Sequence, residues 1–319
     1  MKYRRLGRSG LEVSLLGLGT NNFGRRCSPD ESARVLDQAI ELGINFIDTA
    51  NIYSQGESEE HIGSALKGKR DQVLIATKFG MQMHDGPMGK GGSRQHIMTC
   101  VEESLKRLQT DYIDLYQIHR VDRSVPVEET LRALDDLVQS GKVRYLGCSN
   151  FDAWHLCEAE WTARSEGLNR FVSVQNYYNL LKRDIEREVM PYCDEYGMGI
   201  IPFFPLESGL LTGKYRRDSA APEGARLSGS PRGEQLLTAE NFTVVERLES
   251  FAQERGHTLL ELAIAGLCAQ PAVSSVIAGA TQPEQVAANA AAVEWELSAE
   301  DCVALAEIAP SPYWEERSR

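Results

Sequence analysis

Four side chains that could carry out acid–base chemistry lie at or just after the ends of apolar runs in the sequence. Asp48 ends the run INFID and Tyr53 comes five residues later, while Lys78 ends VLIATK and His119 ends IDLYQIH. A buried carboxylate is unfavourable unless it is paired, so we expect Asp48 and Lys78 to form an ion pair. A cation beside a phenol favours the phenolate, so Lys78 is predicted to lower the pKa of Tyr53 and make it a general acid. His119 is predicted to hydrogen-bond a carbonyl oxygen.

The elements that must position these residues repeat along the chain, because short apolar runs alternate with amphipathic stretches. The predicted strands lie at 15–20, 44–48, 73–78, 113–119, 143–150, 172–176, 199–205 and 274–280, and helical patterns lie at 28–43, 94–108, 126–141 and 283–293. Continuous apolar strands that alternate with helices are typical of a parallel sheet covered by helices. Eight such units favour a (β/α)₈ barrel over a doubly wound sheet, which usually has fewer strands. In a barrel the polar strand ends meet at one rim.

Three segments exceed this basic unit. Residues 3–14 are predicted to form a short β-hairpin that closes the bottom of the barrel. Residues 81–93 form a Gly-rich loop after the third strand, and residues 206–236 form a long loop after the seventh. Both loops would lie on the carboxyl-terminal face, where sites of barrel enzymes are built. We expect one domain over residues 1–319, with substrate specificity set by these loops.

Composition narrows the class of partner. The formal net charge is −12, which argues against a nucleic acid or an anionic membrane as partner. No apolar run approaches the roughly 18 residues of a membrane span, and the first residues are not expected to be a signal peptide. Seven scattered cysteines without a C-x-x-C spacing indicate reduced thiols and a cytoplasmic protein. The histidines lack metal-ligand spacing, so no metal is expected.

Longer motifs then suggest a family. They are GLGT at 17–20, NFIDTANIYSQGESEEHIG at 45–63, DLYQIH at 114–119, GKVRYLGCSNF at 141–151, VQNYYNLL at 174–181 and GLLTGKY at 209–215. Together they resemble the aldo-keto reductase superfamily, most of all its bacterial and potassium-channel-β-subunit-like branches. The resemblance implies a (β/α)₈ barrel that binds NADP(H) in an extended pose and reduces aldehydes or ketones reversibly. It also implies that Asp48, Tyr53, Lys78 and His119 form the catalytic tetrad.

The resemblance further implies a set of cofactor contacts along the same rim. These are Gly19, Thr20, Asn21 and Asp48 near the first two strands; Ser149, Asn150 and Gln175 for the carboxamide; Phe204 as the ring stacked on the nicotinamide; Leu206, Ser208, Gly213 and Lys214 for the pyrophosphate; and Arg226, Gly279, Thr281, Gln282, Gln285 and Asn289 for the adenosine. The sequence departs from the family at Ala288, where many relatives carry Glu. It also lacks the cations that other branches aim at the 2′-phosphate, so NADP is favoured by the resemblance alone and NAD stays possible.

Several alternatives stay open at this point. The chain could be a non-catalytic or slow NADP(H)-sensing regulatory subunit, or, less in keeping with Lys78, a glycosidase that pairs Asp48 with Glu207. Arg120 either attracts an acidic or phosphorylated substrate or pairs with Asp122. The tail residue Trp314 packs elsewhere or covers the mouth of the site. The particular carbonyl substrate is open, and a homo-oligomer is possible.

Overall fold

In the computed structural model, which describes residues 1–311, ten strands and eleven α-helices follow one another along the chain. The strands are β1 (Tyr3–Arg5), β2 (Glu12–Ser14), β3 (Leu16–Gly19), β4 (Phe46–Asp48), β5 (Leu74–Phe79), β6 (Ile113–Ile118), β7 (Val143–Ser149), β8 (Phe171–Gln175), β9 (Gly199–Ile200) and β10 (Val276–Gly279). The helices are α1 (Pro29–Glu41), α2 (Glu57–Ala65), α3 (Arg94–Leu108), α4 (Val127–Gln139), α5 (Ala153–Glu166), α6 (Val189–Tyr196), α7 (Pro231–Leu236), α8 (Ala239–Gln253), α9 (Leu259–Cys268), α10 (Pro283–Ala292) and α11 (Ala299–Ile308).

Strands β3 to β10 form one parallel eight-stranded sheet in the order β10-β3-β4-β5-β6-β7-β8-β9. Backbone hydrogen bonds between its two ends close the sheet: Ile200 N–H donates to Ala272 O at 2.8 Å, and Ile277 N–H donates to Pro202 O at 3.0 Å. The prediction of a (β/α)₈ barrel is confirmed, and each predicted strand coincides with an observed one. The strand predicted at 199–205 is shorter than expected: β9 covers only Gly199–Ile200, Pro202 has no N–H to donate, and Phe203 adds only an isolated bridge to Tyr177.

The N-terminal hairpin, which pairs β1 with β2 in antiparallel fashion, supplies part of the barrel interior. One core cluster joins Leu6 and Val13 of this hairpin to residues of five barrel strands or strand ends: Phe46, Ala76, Leu115, Ile201 and Ile277. Leu6 and Val13 are fully buried. The hairpin therefore closes the bottom of the barrel, as predicted, and leaves the carboxyl ends of the strands open for a site.

Helix α1 illustrates how the outer helices are built, with a capped N-terminus and an apolar face that packs inward. Ser28 precedes α1, and its Oγ accepts a hydrogen bond from the backbone N–H of Glu31, whose carboxylate in turn accepts one from the Ser28 N–H. Such a capping box satisfies donors that the helix itself leaves free. Val35 and Leu36 on the opposite side are fully buried. None of the helices in residues 1–311 is both long and apolar enough to cross a membrane.

The two predicted loops differ in structure. Residues 81–93 contain no helix or strand, as expected. The segment 206–236 was predicted to be a loop throughout, and that prediction is wrong at both ends. It begins with a 3₁₀ helix over Glu207–Thr212 and ends with α7. Ser230 begins α7 by accepting a hydrogen bond from Gly233 N–H at 3.0 Å, and Pro231 fits the first helical turn.

Candidate active site

A buried ion pair lies at the carboxyl ends of two neighbouring strands. Lys78 Nζ donates hydrogen bonds to both Asp48 carboxylate oxygens at 2.8 Å and to the backbone carbonyl of Thr49 at 2.8 Å. Asp48 Oδ1 also accepts a hydrogen bond from Gln175 Nε2 at 2.8 Å. The side chains of Lys78 and Asp48 are 0% and 4% exposed. The structure thus contains the ion pair that the sequence predicted, with all three ammonium protons supplied with acceptors.

Tyr53 lies above this pair, in a short 3₁₀ turn over Tyr53–Gly56 that follows β4. Lys78 Nζ is 5.2 Å from the centroid of its ring. The ring of His119, which follows β6, meets the Tyr53 ring nearly at right angles with 6.0 Å between centroids. The residues after Tyr53, Ser54 and Gln55, have φ of 50° and 54°, a strained conformation that is common where a side chain is held at a site.

The predicted lowering of the Tyr53 pKa is wrong. Burial raises the pKa of Tyr53, the positive charge of Lys78 lowers it, and the negative charge of Asp48 raises it again, with a net upward direction. The physical reason is burial, which disfavours the charged phenolate more than the Lys78 charge favours it, and Asp48 adds to the rise by offsetting part of that charge. Burial alone would lower the pKa of Lys78, but Asp48 and Tyr53 outweigh burial and raise it. Tyr53 is therefore a protonated phenol beside a charged ammonium, which is the form that a proton donor needs.

His119 is kept neutral. Burial and the positive charges of Lys78 and Arg120 lower the pKa of His119 to about 3. Its Nδ1 atom is buried without a hydrogen-bond partner among the described residues. A neutral imidazole can donate one hydrogen bond from a ring nitrogen, so His119 can bind an oxygen without competing for the Tyr53 proton.

These side chains lie in a cleft of about 570 Å³. The predicted site residues that line it are Gly19, Thr20, Asn21, Asp48, Tyr53, His119, Ser149, Asn150, Gln175, Phe204, Leu206, Ser208, Lys214, Arg226, Gly279, Thr281, Gln285 and Asn289. Three predicted residues do not line it. Lys78 lies beneath Asp48 and Tyr53, Gly213 forms a turn with φ +78° beside Lys214, and Gln282 is the residue that precedes α10.

Polar strand ends are tied together on one side of the cleft. Ser149 Oγ donates to the Gln175 carbonyl at 2.7 Å, and Asn150 Nδ2 donates to the His119 carbonyl at 3.0 Å. Asn150 adopts a left-handed conformation with φ +58°. These bonds link the ends of β6, β7 and β8, so the amide and hydroxyl groups near the tetrad are held in fixed positions.

Two aromatic rings, and not one, form the wall after β9. Phe203 was missed by sequence reasoning, which singled out Phe204. Ile201 belongs to the barrel interior, and alternation along an extended segment places Phe203 on the same side, where its ring stacks on Tyr177 with 5.4 Å between centroids. The Phe204 ring lies under the guanidinium of Arg232, 4.4 Å from the ring centroid. The adjacent pair of phenylalanines was the available signal, but their directions depend on the turn at Phe204.

Glu207 anchors the segment that carries these rings. Its carboxylate is 1% exposed and accepts hydrogen bonds from Tyr177 OH at 2.5 Å, from Asn179 Nδ2 at 2.8 Å and from Arg232 Nη2 at 3.0 Å. Because these partners occupy its oxygens and it does not line the cleft, Glu207 cannot act as the second carboxylate of a glycosidase with Asp48. It thereby joins α7 to the segment that follows β8.

The predicted partner of Arg120 is engaged elsewhere. Asp122 accepts hydrogen bonds from Gly92 N–H at 2.8 Å, Ser124 N–H at 2.9 Å and Ser124 Oγ at 2.6 Å. Within residues 1–311, the ion pairs include none between Arg120 and Asp122. Arg120 is exposed and lines the cleft beside His119. Trp314, whose position was left open, lies outside the described residues.

Other residues that sequence reasoning missed also line the cleft. They are Asn22, Arg26, Phe203, Pro205, Gly209, Thr212, Leu260, Ile277 and Ala278. Among them, Arg26 belongs to a pair of arginines in the loop after β3, a signal that was visible in the sequence. In residues 1–311, no group of three or more His, Cys, Asp and Glu side chains is arranged to hold a metal ion.

Comparison with known proteins identifies the family. The sequence model of the Aldo/keto reductase family matches residues 15–310, and the chain belongs to that family. It is an oxidoreductase. Its relatives include the uncharacterized oxidoreductase YrpG of Bacillus subtilis, 38% identical over 98% of this chain and 97% of the relative.

Two further relatives carry more specific names. A probable voltage-gated potassium channel subunit beta of Oryza sativa is 37% identical over 92% of each chain. The L-glyceraldehyde 3-phosphate reductase of Escherichia coli is 35% identical over 92% of this chain and 88% of the relative. The resemblance to both named branches of the family is thereby confirmed.

The low pKa of His119 predicts how stability depends on pH. The unfolded chain binds a proton at His119 near pH 6.5, whereas the folded chain binds it only near pH 3. The unfolded state therefore holds more protons in this window, and stability falls as the pH drops from 6.5 toward 3. Between pH 8 and pH 5 this single group should lower the free energy of unfolding by about 2 kcal/mol.

The measurement is urea unfolding of the wild type and of His119→Gln at both pH values. The wild type is expected to lose about 2 kcal/mol more than the variant on acidification. Equal losses in the two proteins would show that His119 is not held neutral by the fold.

Proposed function

We propose that this chain is a carbonyl reductase that uses NADPH, with Tyr53 as proton donor and the reverse reaction open to it. The observation that carries the proposal is the placement of Tyr53 and His119 over the buried Asp48–Lys78 pair, in a cleft of about 570 Å³ that most of the predicted cofactor residues also line. NADPH, when bound, supplies the hydride. Tyr53 donates its proton to the substrate oxygen, and His119 holds that oxygen by a hydrogen bond from its neutral ring.

The cleft residues fit the cofactor. Ser208 Oγ is buried without a hydrogen-bond partner among the described residues and lines the cleft, so it can donate to a phosphate. Lys214 and Arg226 also line the cleft and supply positive charge. Ser149, Asn150 and Gln175 would hold the carboxamide, and the wall of Phe203 and Phe204 would face the nicotinamide. Thr281, Gln285 and Asn289 at the start of α10 would contact the adenosine.

The proposed sensing role is less well supported than catalysis. The rice relative is named as a channel subunit, but Tyr53 and His119 line one cleft, with the Asp48–Lys78 pair beside them, an arrangement that suits proton transfer to a bound carbonyl. A sensor would turn over no faster than it releases its cofactor. Cytoplasmic location and a possible homo-oligomer stay predictions.

Tyr53→Phe tests the role of the phenol. The variant keeps the ring and loses the proton donor, so kcat for aldehyde reduction is expected to fall by roughly 10²- to 10⁴-fold, with little change in the dissociation constant for NADPH. The control is Tyr116→Phe, because the buried Tyr116 hydroxyl has no hydrogen-bond partner among the described residues and lies outside the cleft. Undiminished turnover by Tyr53→Phe would refute the proposed role.

We also propose that the substrate carries a negative charge near its carbonyl group. Arg120 lines the cleft beside His119 without an ion pair in residues 1–311, since Asp122 bonds to Gly92 and Ser124. The name of the Escherichia coli relative, L-glyceraldehyde 3-phosphate reductase, is in line with an anionic substrate.

The Arg120 proposal predicts a selective effect on KM. In Arg120→Gln, KM for glyceraldehyde 3-phosphate is expected to rise roughly tenfold or more, while KM for uncharged glyceraldehyde changes little, because a charge-assisted hydrogen bond is lost. Arg123→Gln is the matched control, since the Arg123 guanidinium lies 5.1 Å over the Trp154 ring and does not line the cleft. Equal effects on both substrates would rule out an anion-binding role for Arg120.

A further inference from the structure

Three cations lie close enough to one another in the cleft for their charges to interact. Arg26 lies in the loop after β3, Lys214 follows the 3₁₀ helix Glu207–Thr212, and Arg226 lies further along the same segment; all three line the cleft. None of them forms an ion pair with a carboxylate in the part of the chain that the structure describes. By contrast, Arg216 and Arg217, just after Lys214, pair with Glu249 and Glu246.

The positive charges of Arg26, Lys214 and Arg226 repel one another. Burial lowers the pKa of Lys214, and the charges of Arg26 and Arg226 lower it further. Burial also lowers the pKa of Arg226, and the positive charges of Arg26, Arg25 and Arg232 lower it further. Asp48 is the one carboxylate among the residues that line the cleft, and Lys78 neutralises it. A chain with a net charge of −12 thus keeps a surplus of positive charge inside its cleft, where a bound anion would be stabilised.

The loop that carries Arg26 is well ordered and adjoins the adenosine side. The Asn22 carbonyl accepts hydrogen bonds from the backbone N–H groups of Arg26 at 2.8 Å and Cys27 at 3.1 Å. Cys27 Sγ lies 4.0 Å from the carbonyl oxygen of Thr281, next to the start of α10. Arg26, next to Cys27 in the chain, therefore lines the cleft near Thr281, where the proposed function places the adenosine.

We propose that Arg26 binds the 2′-phosphate of NADP(H) and so makes the chain prefer NADP(H) over NAD(H). This inference rests on the proposed function. The pyrophosphate of either dinucleotide carries two negative charges, which Lys214 and, from the adenosine side, Arg226 can balance. A third cation at the adenosine end, with Ala288 in place of a carboxylate on the facing helix, matches the additional phosphate that distinguishes NADP from NAD.

The test is isothermal titration of NADP⁺, NAD⁺ and 2′,5′-ADP into the wild type, Arg26→Gln and Arg26→Lys, with no turnover involved. Arg26→Gln is expected to lower the affinity for NADP⁺ and for 2′,5′-ADP by about tenfold or more, because it removes a charge-assisted hydrogen bond. Its NAD⁺ affinity should stay within about twofold, and Arg26→Lys should recover part of the loss. Arg25→Gln removes the same charge from a neighbour that does not line the cleft, and should leave the NADP⁺ to NAD⁺ ratio unchanged.

Two results would overturn the inference while leaving the proposed function in place. One is an equal loss of NADP⁺ and NAD⁺ affinity in Arg26→Gln, and the other is no loss for either. Failure of the wild type to bind any dinucleotide would instead overturn the proposed function, and the role of Arg26 with it.

Discussion

The buried ion pair between Asp48 and Lys78 is the interaction on which the site depends. Removing two charges from water is expensive, and the attraction between them offsets this only if the remaining hydrogen-bonding capacity is also used. Here the ammonium donates to the carboxylate and to the Thr49 carbonyl, and the Gln175 amide donates to the same carboxylate. The pair thereby joins the ends of β4, β5 and β8. Loss of one partner would leave a charge buried without compensation.

The cleft differs in charge from the molecule as a whole. The chain is acidic overall, yet the cleft contains Arg26, Arg120, Lys214 and Arg226 with a single carboxylate that is already neutralised. His119 stays uncharged because burial, and then the positive charges of Lys78 and Arg120, disfavour a proton on its ring. An acidic surface lowers the affinity for nucleic acid and other polyanions, while the positive charges in the cleft still favour a small bound anion.

Much of the fold and the tetrad could be predicted from the sequence, for a physical reason. Continuous apolar strands fix a parallel sheet, and a parallel barrel brings every carboxyl strand end to one rim. Asp48, Lys78 and His119 therefore had to lie near one another once the strands were placed. The catalytic and binding roles themselves stay predictions.

What could not be predicted depends on how loops turn and on which charges become buried together. Phe203 and Phe204 were indistinguishable without the left-handed turn at Phe204. Arg26 required the path of the loop after β3, and the hydrogen bonds of Asp122 required the position of Gly92. The pKa of Tyr53 is raised and not lowered, because the sequence does not reveal how deeply the phenol is buried or how far Asp48 offsets the Lys78 charge.

The Lys78 ammonium, fixed by Asp48, makes the Tyr53 proton more acidic than burial alone would leave it. The direct measurement is carbon-13 NMR of protein labelled at the tyrosine Cζ, following the Tyr53 signal, assigned with Tyr53→Phe, from neutral to alkaline pH. In Lys78→Met, and in Asp48→Asn/Lys78→Met, which leaves no unpaired charge, Tyr53 is predicted to ionise at a higher pH than in the wild type. Ionisation of Tyr53 at the same or a lower pH in both variants would show that the Lys78 charge does not make the Tyr53 proton more acidic.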